Sequence, residues 1–78
     1  GNGYQRVGVP DLLICLDGKF AAIEVKHLKP GESKQHMFSR VTHSQMAEIK
    51  AIKRAGGLAT VCSSVDEALD VVLALAKN

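Results

Sequence analysis

Asp17-Gly18 lies between two apolar runs, Leu12-Leu13-Ile14-Cys15-Leu16 and Phe20 to Val25, and this dipeptide constrains the fold more than any other feature. Asp-Gly is a strong signal for a two-residue type I′ hairpin, because both central residues need positive φ and these two tolerate it. In that turn Leu16 pairs with Lys19, and each further pair steps out by one residue on either side. Asp11 then stands opposite Glu24. Directly opposed residues of an antiparallel pair have Cβ atoms about 4.5 to 5.5 Å apart, and Lys26, two places beyond Glu24, points to the same face. Two carboxylates and an ammonium therefore converge on one patch. A three-residue loop would set Asp11 against Val25 and turn the two acids to opposite faces, since a slip of one residue inverts the pleat. Asp-Gly favours the converging register.

A chain of 78 residues suits one domain spanning 1–78. A domain of this size buries only roughly 60 to 65% of its unfolded surface, so its core is small. With 46% hydrophobic and 23% charged residues the composition is globular, neither disordered nor membrane-spanning. No apolar stretch approaches the roughly 18 to 20 residues of a membrane span, and no signal peptide is recognisable, so the expected setting is cytoplasmic with no membrane partner. Cys15 and Cys62 stand alone in apolar runs and read as two small buried hydrophobes. His27, His36 and His43 lack zinc-ligand spacing, which argues against structural zinc. The net charge of +2 says little about nucleic acid, but its distribution says more. Lys26, Lys29, Lys34 and Arg40 lie in one segment whose only acid is Glu32, a basic patch beside the acidic one.

Along the chain, Tyr4 to Val7 reads as the tail of a strand, and Gly8 and Pro10 bracket the turn into the hairpin, Asp11 to Lys26. Leu28 to Val41, with Lys29-Pro30-Gly31 and few apolar residues, reads as a long loop. Thr42 and Gln45 form a capping box that opens a helix, and Gly56-Gly57 end it. Met46, Ile49 and Ile52 supply its apolar stripe; Gln45, Ile49 and Ile52 share a face, which turns Gln45 toward the sheet. Leu58 to Cys62 reads as a buried strand, parallel to the second through a right-handed crossover. Ser64 and Glu67 open a last helix so apolar at Val71, Val72, Leu73 and Leu75 that part of it is expected to pack on a second copy. The expected fold is α/β: a mixed sheet, antiparallel hairpin plus parallel crossover strand, with flanking helices.

Opposed carboxylates cannot both remain ionised cheaply unless one takes a proton or a cation settles between them. Two carboxylates with the backbone carbonyl of Val25 are the hard oxygen ligands that Mg²⁺ or Mn²⁺ takes, with other positions left for water or phosphate. Such an ion activates water and neutralises charge on a phosphodiester. Lys26 would stabilise developing negative charge, and Lys29, Lys34 and Arg40 would contact the DNA backbone. Tyr4, Phe20 and Phe38 are the only aromatics, too few for a base-stacking platform, which leaves backbone and shape recognition of duplex or branched DNA.

Pro10-Asp11 with Glu24-Val25-Lys26 resembles the PD-(D/E)xK nuclease signature. Gly8-Val9-Pro10-Asp11-Leu12-Leu13, Ala22-Ile23-Glu24-Val25-Lys26, Gln45 and Ala55-Gly56-Gly57 together are similar to the VRR-NUC branch, especially its small stand-alone phage and bacterial members. The resemblance implies a restriction-endonuclease-like fold and a divalent-metal-dependent DNA phosphodiesterase in the cytoplasm of a bacterium or phage-infected cell. It implies Asp11 and Glu24 as metal ligands, Lys26 as the catalytic lysine and Gln45 beside the active site. It also implies action on branched DNA such as four-way junctions by a homodimer, whose two-fold axis suits paired cuts. Relatives commonly carry a further acid on a helix before the first strand, and this chain is expected to lack that helix. The departure motivates the alternative, a non-catalytic DNA-binding or assembly module that keeps the fold.

Overall fold

The computed structural model describes residues 7–77. Strands β1 (Leu12–Leu16) and β2 (Lys19–Val25) are followed by helices α1 (Lys34–Ser39) and α2 (His43–Arg54), strand β3 (Leu58–Cys62) and helix α3 (Val65–Lys77). Asp17 and Gly18 adopt φ of 50° and 76°, the positive pair that a type I′ turn requires. The hairpin register runs from Leu16↔Lys19 to Leu12↔Ile23, and Asp11, just before β1, follows it on the side of Glu24 as the turn chemistry demands. β3 pairs in parallel with β2 from Ala21↔Leu58 to Val25↔Cys62, giving a mixed sheet of order β1-β2-β3. The expected strand tail at residues 4–6 lies outside the described residues, and Val7 and Gly8 form a turn.

Helices cover β2 on both sides. On one face Ala22 and Ala59 pack against Ile49 of α2, with Ile52 and Val61 around them. On the other, Ile23 and Cys62 pack against Ala68 of α3, flanked by Ile14, Val25, Val71 and Val72. This double cover buries Ala21, Ala22, Ile23 and Glu24 in succession, and it puts a carboxylate, 4% exposed, into the interior.

The capping box of α2 forms in full: the Thr42 side chain accepts from the Gln45 amide and the Gln45 side chain accepts from the Thr42 amide. At the start of α3 the Glu67 amide donates to Ser64 Oγ, but the Glu67 carboxylate reaches one residue further back, to the Ser63 amide and hydroxyl. The outer side of α3 leaves Val65, Leu69 and Leu73 exposed at four-residue spacing. Of the residues expected to face a second copy only Leu73 is exposed, because Val71 and Val72 pack on the inner core and Leu75 is buried. None of the described helices is long and apolar enough to cross a membrane.

Two expectations are corrected. The segment 28–41 is no simple loop, because α1 interrupts it, capped by Ser33 Oγ accepting from the His36 amide and anchored by the fully buried Met37. A helix of six residues with one inward side chain has no periodicity to detect, and Pro30-Gly31 just before it reads as a breaker. Cys15 is exposed, whereas Cys62 is buried as expected. β1 is an edge strand, and the side of it that carries Leu13 and Cys15 is covered by neither α2 nor α3. β3, at the other edge, buries only Ala59 and Cys62.

Candidate active site

Pro10 closes off the ladder, since it has no N–H to donate, and the Asp11 side chain takes over where main-chain pairing stops. Asp11 Oδ2 accepts from the Val25 amide at 2.9 Å. The N–H and C=O of one strand residue point to the same edge, so the Val25 carbonyl also faces the Asp11 side. Glu24 shares its face of the sheet with Ala22, and α2 lies over that face. Gln45, in the first turn of α2, donates through Nε2 to Glu24 Oε1 at 2.8 Å. Glu24 Oε2 is buried with no hydrogen-bond partner.

That environment raises the Glu24 pKa: burial contributes most, the neighbouring Asp11 charge adds to it, and Lys26 opposes it. The Asp11 amide approaches the same carboxylate and also opposes the rise, without forming a hydrogen bond to Oε2. Lys26 is half-buried and continues the parallel ladder, its amide donating to the Cys62 carbonyl at 2.9 Å. Asp11, Glu24, Lys26 and Gln45 are thus brought together.

The basic segment is arranged differently from a bare patch. Lys29 is exposed, Lys34 pairs with Glu67 at 3.1 Å, and Arg40 pairs with Glu32 at 2.8 Å. Glu67 is held below the usual carboxylate range by the Ser63 hydroxyl first and Lys34 second, so the charge of Lys34 is partly neutralised. A groove at the turn end of the hairpin, beside Gly18, Phe20, Lys53 and Gly57, contains none of the converging side chains.

The sequence profile of the VRR-NUC domain matches residues 2–66, which take in the hairpin, α1, α2, β3 and the first two residues of α3. The chain belongs to the VRR-NUC family. The family is of PD-(D/E)xK nuclease type, and the chain carries Pro10-Asp11 and Glu24-Val25-Lys26 within the matched range. No curated protein and no solved structure matches the chain.

Nuclease domains of this kind act on DNA and typically need a divalent metal. Among the described residues no group of three or more His, Cys, Asp and Glu side chains forms a metal cluster. The cluster nevertheless fits a hard cation: a buried carboxylate oxygen without a partner, a second carboxylate across the hairpin and a carbonyl on the same edge form an all-oxygen set.

One residue beside these side chains escaped the sequence reading of roles. Gly8, φ 87°, comes so close to the first turn of α2 that a Cβ there would lie 2.5 Å from the Ser44 carbonyl carbon and oxygen and 2.8 Å from the Gln45 nitrogen. The contact seats the Gly8-to-Asp11 segment directly on the turn that presents Gln45. Only the Gly in Gly-Val-Pro-Asp hinted at it.

Gln45 does two jobs, as half of the capping box and as the donor to Glu24. Gln45→Ala is expected to cost about 1–3 kcal/mol, since it strips a buried carboxylate of its hydrogen bond as well as weakening the cap. Thr42→Ala, which touches the cap alone, is expected to cost about 1 kcal/mol. Urea denaturation of the two variants checks the difference.

Proposed function

We propose that this VRR-NUC domain hydrolyses DNA phosphodiester bonds with a divalent cation, Mg²⁺ or Mn²⁺, and does so selectively on branched structures such as four-way junctions. The observation that carries the reading is Glu24, buried with one oxygen unpartnered and flanked by Asp11 and Lys26. Asp11 and Glu24, with the Val25 carbonyl, would hold the cation. When bound, the cation supplies an activated water and neutralises phosphate charge. Gln45 fixes Glu24 through one oxygen and leaves the other directed into the site. Lys26 carries positive charge to the same patch and stabilises the negative charge that builds on the phosphate. Lys29 is the basic side chain best exposed for a flanking phosphate; Lys34 already shares its charge with Glu67, and Arg40 is committed to Glu32 and the His27 carbonyl.

The domain acts as a homodimer in this reading, in the cytoplasm of a bacterial or phage-infected cell. The exposed Val65, Leu69 and Leu73 of α3 offer the apolar face for a second copy, and a two-fold pair suits symmetric cutting of a junction. A second reading, a DNA-binding or assembly module without catalysis, is favoured by the presence of only two acids at the site among the described residues.

Labelled four-way junction, flap and linear duplex, incubated with the protein in Mg²⁺ or Mn²⁺, decide between them. Cleavage that favours the junction and falls at least about 10²-fold in Lys26→Ala is expected. DNA binding with no cleavage in any metal would establish the module instead. Sedimentation of wild type against Leu69→Glu tests the dimer.

A further inference from the structure

We propose that Arg40, locked in a two-pronged pair with Glu32, is a positioning residue that fixes the end of β2 and so places Lys26. The inference rests on the nuclease reading, in which the Lys26 ammonium must sit at one point of the site.

Arg40 Nε donates to Glu32 Oε2 and Nη2 donates to Glu32 Oε1, both at 2.8 Å. Nη2 also donates to the His27 carbonyl at 2.8 Å. Glu32 lies eight residues before Arg40 on the far side of α1, so the pair closes the segment that carries this helix. Its carboxylate, 4% exposed, is held from further directions by the Lys29 amide at 3.0 Å and His36 Nδ1 at 2.7 Å. The Arg40 hydrogen bond, more than any other contact, holds Glu32 far below the usual carboxylate range. A fork of this kind needs a guanidinium; an ammonium gives a single point charge.

The consequence for Lys26 follows from its neighbours. Val25 is tied through its amide to Asp11, Lys26 through its amide to the Cys62 carbonyl, and His27 through its carbonyl to Arg40. Three consecutive residues are anchored to Asp11 just before β1, to β3 and to the strap beyond α1. Arg40 supplies the last anchor, immediately after Lys26, where the strand would otherwise fray. A guanidinium engaged in this way by a carboxylate and a carbonyl serves geometry rather than phosphate.

Arg40→Lys and Glu32→Gln, made in the full chain, separate the two roles. Positioning predicts that both variants lose about 10²-fold in kcat with KM unchanged. The salt dependence of duplex binding, measured without divalent cation, stays as in wild type, and amide exchange at Lys26 speeds up at least about tenfold. A phosphate contact would overturn the proposal: Arg40→Lys would keep its kcat, Glu32→Gln would bind more tightly, and Arg40→Ala would lower the log–log salt slope by about 0.9. Unchanged Lys26 exchange in both variants would overturn it as well. If wild type cuts no DNA, the nuclease reading fails on its own, and Lys26 exchange compared with that of a remote α3 amide still decides whether the strap holds the strand end. Should Arg40→Lys unfold, Glu32→Gln, which preserves shape, carries the same comparison.

Discussion

Glu24→Gln is expected to make the protein more stable while abolishing cleavage. Glu24 is 4% exposed, one of its oxygens has no partner, and burial with the adjacent Asp11 raises its pKa. A raised acid binds its proton more readily in the folded state than in the unfolded one. Stability therefore falls as pH climbs from the ordinary glutamate range through the folded value, and the penalty is complete above it. Glutamine carries no charge and removes that limb, so its advantage over wild type appears only above the ordinary glutamate range. For a domain this small each kcal/mol moves Tm by about 4–8 °C. Glu32 and Glu67 have the opposite sign: both are held below the usual range, so their stabilisation is present above it and lost as pH falls through their folded values. That acid limb is common to both proteins. Thermal denaturation across about pH 3 to 8 should thus give curves that coincide on the acid side and separate on the neutral side. Mg²⁺ should raise Tm in wild type and leave Glu24→Gln unmoved. Cleavage should drop at least about 10²-fold. A variant less stable than wild type at neutral pH, or one that still cuts, would refute the assignment of Glu24 as a strained ligand.

Gly8→Ala should be among the most damaging single-methyl changes in this chain. Its φ of 87° already disfavours any side chain, and the added Cβ would press on main-chain atoms of Ser44 at 2.5 Å, which cannot swing away as a side chain can. Gly18 provides the control, because its φ is 76° but nothing lies within 4 Å of its would-be Cβ. Gly18→Ala should cost only the left-handed penalty, about 1–2 kcal/mol. Gly8→Ala should cost about 3–5 kcal/mol, a large share of the stability of a small domain. It should also suppress cleavage in the fraction that stays folded, since moving the segment off α2 shifts Asp11. Urea denaturation of both variants gives the comparison; equal costs would mean that the close approach imposes no constraint.

The hairpin and its register were legible because Asp17-Gly18 accepts one turn type and every pair beyond it follows by counting. The α2 boundaries were legible for a similar reason, with Thr42 and Gln45 at one end and Gly56 at the other. Gln45 was turned toward the sheet by helical spacing alone, and it does reach Glu24. The burial of Glu24 was not legible, because it depends on helices from two later segments closing over both faces of β2. Edge position is equally invisible in one strand's own sequence, which is why Cys15 looked as buried as Cys62. The Glu32–Arg40 strap has no helical or strand spacing, and only the fold of the segment around Met37 brings its ends together.

The Val25 backbone amide on Asp11 Oδ2 and the Gln45 side-chain amide on Glu24 Oε1 bear on which cation the proposed metal site would select. Each carboxylate already has one oxygen committed to an N–H, so each would offer an ion a single oxygen rather than a chelating pair. Ca²⁺ draws on six to eight oxygens and commonly takes a carboxylate by both, whereas Mg²⁺ accepts one or two single-oxygen ligands and keeps most of its water. In the proposed metal site these two acids, one held by a backbone amide and one by a side-chain amide, would therefore favour the smaller, more hydrated ion and would leave much of its coordination sphere to solvent and to the DNA.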